Sequence, residues 1–439
     1  MRDTRNAVIK GVAFCAIFAL LFWMMARTLS HYPDYRSYQS VAGFYQEAEN
    51  SLDAVYLGSS NCYAFWNAPA VWNAYGLAIY PFASPSQPFY ATEYLMREVR
   101  KTQPDAMFIV NVNAVDADDL DATSIHYLVN YMPDSENKAA LTDYLADLLD
   151  YSAWDRLEFR FPWLRIREVW MNVLQEGPLP PLDGLKGAST YENYLSGMED
   201  ISGQYRPSDQ RSELPEALEA SISRLLDYCD REGVRALFVS VPRAEDSETA
   251  QGRINRACDM IRARGYDVLN VSPLTEAMGM DLTRDYYNSK HTNLHGSLKF
   301  TRWLCEYLIR HYCMKDRRGS DGYESWNRAW ARFSDLAAPW MLDIESDMAH
   351  RDFTLPAPSG LTAAEDGVVR WDPAKDADGY AVYRRTGETD AWERLGETEG
   401  TIFDDGEHST GARYAVIPWR IRNGEIYYGN FDYLGVQAE

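Results

Sequence analysis

Ser51-Leu52-Asp53-Ala54-Val55-Tyr56-Leu57-Gly58-Ser59-Ser60 is a short apolar run closed by small residues. Such a run reads as a buried strand entering a tight turn, a place where a serine hydroxyl can stand at the edge of a sheet. Working outward, a second run over 77–82 breaks at Ala83-Ser84-Pro85-Ser86, and Pro88 opens a helical stretch reaching about 102, with Ser86 or Gln87 as its cap. A third strand is expected over 106–113. The strands are apolar throughout rather than alternating, which predicts a parallel sheet covered on both faces by helices, an α/β fold of three layers.

Between about 114 and 211 the pattern loosens into short helical pieces, an aromatic cluster over 159–163 and Gly/Pro punctuation over 177–181. It reads as an insertion, and insertions at the carboxyl edge of a parallel sheet commonly build substrate walls. The α/β rhythm returns as a helix over 212–233, a strand over 236–241, a helix over 250–265, a strand over 267–271 and a helix over 294–312. One α/β domain is therefore expected over 50–315. A helical linker follows over 316–355, where Trp326, Trp330, Phe333 and Leu336 recur at helical spacing and read as packing against the main domain. Beyond the Pro-rich stretch Thr354-Leu355-Pro356-Ala357-Pro358 the pattern changes to short alternating runs separated by turns, which predicts an antiparallel all-β sandwich over 356–439.

With 439 residues the chain is long enough for at least two cores, and 46% hydrophobic residues argue against disorder. Lys and Arg number 43 against 65 Asp and Glu, a formal charge of -22. A field of that sign repels phosphate backbones, so nucleic acid is not an expected partner. It also favours a neutral glycan or lipid-linked acyl donor over a strongly anionic polymer, unless a local basic patch overrides the average.

The apolar run from Ala7 to Ala26, closed by Arg27, predicts a transmembrane anchor, with 1–30 comprising a cytoplasmic stub and the span. Arg2, Arg5 and Lys10 outnumber the cations that closely follow, so the positive-inside bias places the bulk outside the cytoplasm, on a single-pass cell-membrane protein. A cleaved signal peptide is the rival, without an Ala-x-Ala-like site to support it. Of six cysteines, Cys15 lies in the anchor and the other five show no metal-ligand or CxxC spacing. Buried free thiols are expected, with Cys305 and Cys313 on one helix. No P-loop, dinucleotide fingerprint or zinc spacing occurs, so neither a cofactor nor a metal is expected.

An esterolytic serine needs exposure on a turn, a base for its proton and donors where the oxyanion forms. Ser60 meets the first need, with its own backbone N–H as one donor. Far downstream, Asp285-Tyr286-Tyr287-Asn288-Ser289-Lys290-His291-Thr292-Asn293-Leu294-His295-Gly296 precedes the last α/β helix and offers His291 as base, with His295 a weaker alternative. Asn113, at the carboxyl end of the third strand, offers an amide; a hydrogen-bonded core amide is the commoner fate of Asn111 or Asn113 there. Cys62 is read as packing.

Over 50–315 these blocks resemble the SGNH (GDSL-like) hydrolase superfamily, particularly exported proteins of alginate O-acetylation and teichoic acid D-alanylation. The resemblance rests on Leu57-Gly58-Ser59-Ser60-Asn61 and on Asn288-Ser289-Lys290-His291-Thr292-Asn293-Leu294-His295-Gly296. It implies Ser60 as nucleophile, His291 as base, and an oxyanion hole of Ser60, a donor near Ser84 and the Asn113 amide. It places Asn288 where the triad aspartate belongs. Asp285 reaching the imidazole, a Ser-His dyad held by a backbone carbonyl, or an inactive site are the alternatives. Residues 356–439 resemble a fibronectin type III domain through Pro358-Ser359-Gly360-Leu361-Thr362-Ala363, Val369-Arg370-Trp371-Asp372-Pro373, Asp378-Gly379-Tyr380-Ala381-Val382-Tyr383 and Arg413-Tyr414-Ala415-Val416-Ile417-Pro418.

The expectation is an extracytoplasmic serine esterase or O-acyltransferase working on a cell-surface polysaccharide through a Ser60 acyl-enzyme. The resemblance implies a membrane-bound O-acyltransferase as partner. The alternative is a non-catalytic glycan-binding or scaffolding envelope protein.

Overall fold

Five strands, β1 (Ala54–Gly58), β2 (Ile79–Ala83), β3 (Met107–Asn111), β4 (Ala236–Ser240) and β5 (Asp267–Asn270), form one parallel sheet in the order β2-β1-β3-β4-β5. In this computed structural model the described residues are 2–29, 35–116, 120, 122–161, 164, 181–188, 208–243, 247–271, 278–282, 284–352, 354–385, 392–406, 411–431 and 435–438. Every residue of β1 to β4 is buried, which is why these runs are apolar without alternation. Only β5, at the edge, is half exposed. The order reverses at β1, between β2 and β3, and such a switch point opens a crevice at the carboxyl ends of the strands.

Two local features fix the sheet around β1. Gly58 has φ +155°, and a Cβ there would stand 2.5 Å from Asn111 Cβ and 2.7 Å from Cys62 Sγ, so only glycine fits. The outer edge of β2 is covered by the segment Tyr38–Ala42: Ser40 Oγ donates to Pro81 O at 2.8 Å and accepts from Ala83 N at 2.9 Å. Strand groups that would otherwise be open to pairing are thereby satisfied.

Helices Thr92–Val99, Glu216–Glu232, Glu248–Ala263 and Leu294–His311 complete the α/β unit, with their apolar faces in one core with the sheet. The expected helix from Pro88 differs. Pro88 is extended at ψ 138°, a 3-10 turn covers Phe89–Ala91, and the α-helix begins only at Thr92. β3 stops at Asn111, before the expected end at 113, because the chain turns at Asn113–Asp116 and the Asn113 side chain binds the backbone of the neighbouring strand's extension. Of the insertion expected over 114–211, residues 117–119, 121, 162–163, 165–180 and 189–207 lie outside the described residues; its described part includes the helices Ala122–Val129, Glu136–Leu148 and Ala153–Arg160.

The helix Glu324–Ala349 packs on the α/β unit through the apolar stripe. Trp326 lies in the main core, Trp72 stacks on Tyr323 at 5.3 Å, and Trp72 Nε1 donates to Asn327 Oδ1 at 2.9 Å. Separate antiparallel sheets follow. One contains β10 (Gly379–Arg385), β11 (Glu393–Thr398), β13 (Arg413–Arg422), β14 (Glu425–Tyr428) and β15 (Val436–Gln437); the other contains β8 (Thr362–Ala363), β9 (Val368–Arg370) and β12 (Ile402–Asp404). Trp371, Tyr380, Val382, Tyr414 and Val416 share a core, and Tyr414 donates its hydroxyl to Asp405.

The N-terminal apolar run is helical over Arg2–Leu29, and Val12, Phe14, Ile17, Phe18 and Leu20 are exposed. Among the described residues no helix is long and apolar enough to cross a membrane. The side chains described on this helix cover 9–22 and 24, less than the span expected from 7 to 26. No disulfide joins the described cysteines: Cys62, Cys229, Cys258 and Cys305 are buried. Cys313 corrects the expectation, since it is exposed and lies beyond the helix that carries Cys305, which ends at His311.

Candidate active site

The turn after β1 leads straight into the helix Ser60–Phe65, so Ser60 stands at the carboxyl edge of the sheet as the first helical residue. First-turn N–H groups have no acceptor within their own helix, which leaves the Ser60 N–H available to a ligand. Ser60 Oγ lies 2.8 Å from Nε2 of His291, 231 residues away in sequence.

His291 opens β7 (His291–Thr292), the second strand of a small hairpin with β6 (Tyr286–Asn288), just before the helix Leu294–His311. Several bonds stitch this hairpin to the serine's helix. Asn61 Nδ2 donates to Lys290 O at 2.9 Å, and Thr292 Oγ1 donates to Ala64 O at 2.7 Å. Asn293 caps the following helix by accepting from Gly296 N, and its amide donates to Arg284 O. Gly296 is required for close approach, since a Cβ there would lie 2.0 Å from Asp285 O. The Ser60 to His291 distance is thus set by contacts on both sides of the pair.

Asn288 supports the imidazole. Its Oδ1 accepts from Lys290 N at 2.9 Å and His291 N at 3.0 Å, and lies 3.1 Å from His291 Nδ1. Backbone N–H groups can only donate, so the atom they meet is the amide oxygen and Nδ1 must carry the ring proton. Nε2 is left with a lone pair facing Ser60, the tautomer that general-base catalysis needs.

No charge accompanies this support. Burial first, then Arg36, Arg243 and Lys290, push the His291 pKa down to about 3. The residue is half-buried and opens on a pocket where water screens part of that depression; the downward direction is what bears on its chemistry. His291 is therefore neutral at rest.

Asp285 does not reach the imidazole. Its carboxylate is fully buried, with Oδ2 at 2.6 Å from Lys299 Nζ and accepting from Asp281 N at 2.6 Å. The helix that follows His291 supplies this lysine, which draws the acid away from the ring. Asn113 is likewise committed elsewhere. Its Oδ1 accepts from Val241 N at 2.7 Å and its Nδ2 donates to Val241 O at 3.2 Å, so the amide clamps the end of β4. It is a core amide rather than an oxyanion donor. Ser84 is fully buried, does not line the cavity, and its hydroxyl lies 3.5 Å from Gln87 Oε1. His295 also lies off the cavity wall. Burial raises the Cys62 thiol well above its ordinary pKa, so it is packing and not a nucleophile.

Ser60 and His291 open on a cavity of about 720 Å³, walled by Phe89, Tyr90, Leu120, Leu148, Leu149 and Leu218. Residues following β1, β2, β3 and β4 all contribute, as the switch point leads one to expect. Gln87, Ser124, Arg243 and Lys290 are polar members of this wall to which sequence reading gives no role in the site. In sequence Gln87 reads as a candidate helix cap, and Arg243 follows β4 without any motif. Gln87 is 1% exposed and its Nε2 has no hydrogen-bond partner, a state that costs about 1–3 kcal/mol for a buried amide. Among the described residues no cluster of His, Cys, Asp and Glu is suited to a metal ion.

No family model matches the chain, and no curated protein matches it. Among solved structures, an Fn3-like protein from Clostridium thermocellum is similar, with 21% identity over 19% of this chain and 92% of its own, at a TM-score of 0.16.

Proposed function

We propose that the chain is an SGNH-like serine esterase or O-acyltransferase that forms an acyl-enzyme on Ser60 and acts on an acylated cell-surface polysaccharide. The observation that carries this reading is the Ser60 Oγ to His291 Nε2 contact of 2.8 Å, with the ring tautomer fixed by Asn288. Ser60 Oγ attacks the ester carbonyl carbon while its proton passes to His291 Nε2. The tetrahedral adduct expels the alcohol, which takes the proton back from His291. Water or a sugar hydroxyl then attacks the acyl-enzyme and gives its proton to the same nitrogen, and Ser60 Oγ takes that proton back as it leaves the acyl group. The exposed apolar helix Arg2–Leu29 serves as a single-pass anchor, with the bulk extracytoplasmic, near a membrane-bound acyl donor enzyme. The antiparallel sheets over 362–437 act as a fibronectin type III-like spacer or glycan contact.

A fluorophosphonate probe tests the reading. The wild-type protein is labelled at Ser60, and Ser60→Ala and His291→Ala variants are not; an unlabelled wild type ends the enzyme assignment. The second reading, a non-catalytic glycan-binding or scaffolding protein, is favoured by one observation, the absence of a carboxylate behind His291. Absence of label together with retained glycan binding would establish it.

A further inference from the structure

The amide that the family pattern assigns to the oxyanion, that of Asn113, is held at both ends by Val241. Gln87, which carries another amide, lines the same cavity, with that amide buried just behind its wall. The register Gly58↔Ala83 lays the ends of β1 and β2 side by side, so the loop 84–90 runs beside the turn that carries Ser60. Both loops line the cavity.

Within that loop two neighbouring residues are kept in unfavourable states. Ser86 has φ +47°, in the left-handed region that non-glycine side chains rarely occupy. Gln87 follows, 1% exposed, with Nε2 lacking any hydrogen-bond partner and Oε1 holding only a long 3.5 Å contact with the Ser84 hydroxyl. A hydroxyl can donate or accept, so turning the amide over leaves the other end unpaired instead. Methionine would fill the same volume without a buried polar atom. Strain and an orphaned amide beside a nucleophile are the marks of a site arranged for its ligand and not for its own stability.

We propose that Gln87 is a catalytic residue whose amide N–H binds the carbonyl oxygen of the bound ester and the oxyanion it becomes, in the place the family gives to the asparagine. This rests on the Ser60 acyl-enzyme reading. In the tetrahedral adduct the carbonyl π electrons move onto that oxygen, and Gln87 Nε2 and the Ser60 N–H donate to it.

The test pairs Gln87→Met with the wild type and measures two quantities: the rate of Ser60 phosphonylation by a fluorophosphonate, and the melting temperature. Phosphonylation forms the Oγ–P bond, expels fluoride and leaves the phosphoryl oxygen where the oxyanion would sit. Loss of one such donor lowers rates about 100-fold or more, so Gln87→Met labels about 100-fold more slowly while melting at the same or a higher temperature. Labelling at the wild-type rate, or a lower melting temperature, overturns the assignment, the latter because it makes the amide structural. If the wild type itself is not labelled, the Ser60 reading fails and the Gln87 proposal falls with it; if only the variant comparison fails, the Ser60 reading stands.

Discussion

Asn288 binds His291 twice through one oxygen, which meets the backbone N–H at 3.0 Å and ring Nδ1 at 3.1 Å. The double contact fixes ring orientation as firmly as an aspartate would. What it lacks is the negative charge that stabilises the imidazolium when the proton arrives.

Asn288→Asp supplies that charge without disturbing either backbone contact. Replacing the aspartate of a serine protease triad by asparagine costs about 10⁴-fold in rate through the wrong ring tautomer, a loss that the Asn288 oxygen already avoids here, so that the charge alone is at stake. The reverse change here is expected to raise the turnover of a chromogenic acetyl ester at pH 7.5 at least about tenfold. Unchanged turnover in a variant of unchanged stability would show that the imidazolium is stabilised elsewhere.

The depressed His291 sets the pH dependence. With its pKa held below the ordinary 6.5 by burial, the ring stays a base into mildly acidic solution, so the labelling rate of Ser60 should persist as pH falls through 6.5 and drop only at lower pH. Stability follows from the sign of the same shift. The unfolded histidine titrates near 6.5, so between there and the folded value the unfolded chain binds more protons. The contribution is present above about pH 6.5 and is lost as pH falls toward 3. Denaturant midpoints at pH 7 and pH 4.5 should therefore separate less for His291→Phe than for the wild type.

Asp285 and Lys299 form a pair whose acid is fully buried. Asp285→Asn is expected to lower stability by only about 1 kcal/mol, since Lys299, the partner left unmatched, is 36% exposed and keeps its water. Labelling of the folded fraction should stay within about twofold of wild type, since Asp285 lies away from the imidazole. A large loss of labelling at full stability would return Asp285 to the catalytic machinery.

Asn113→Ala strips the N–H and C=O of Val241 of their side-chain partners. About 2 kcal/mol of stability should be lost, read as a lower midpoint in urea. A variant that keeps its midpoint but loses labelling would make Asn113 the oxyanion donor after all.

Strands β1 to β4 were legible because burial on both faces leaves an unbroken apolar signature, and Ser60 because glycine and serine close the first of them. His291 was legible through its motif. Roles that depend on where a side chain turns were not. Asp285 and Asn288 are three residues apart, and what separates them is Lys299, a full helix start further on, drawing one away from the ring. Asn113 and Gln87 are both amides at strand ends; backbone partners across the sheet decide which one is used up, and those partners lie far off in sequence. The helix expected from Pro88 begins late because proline fixes only φ: ψ at Pro88 is 138°, and a 3-10 turn precedes the α-helix at Thr92.

Only seven Cα–Cα steps separate Leu29, the last residue of the apolar helix, from Arg36, whose charge is felt by His291. Fully stretched they cover about 25 Å. Under the proposed membrane anchor, a tether of that length would hold the cavity within reach of the lipid surface and away from anything more distant.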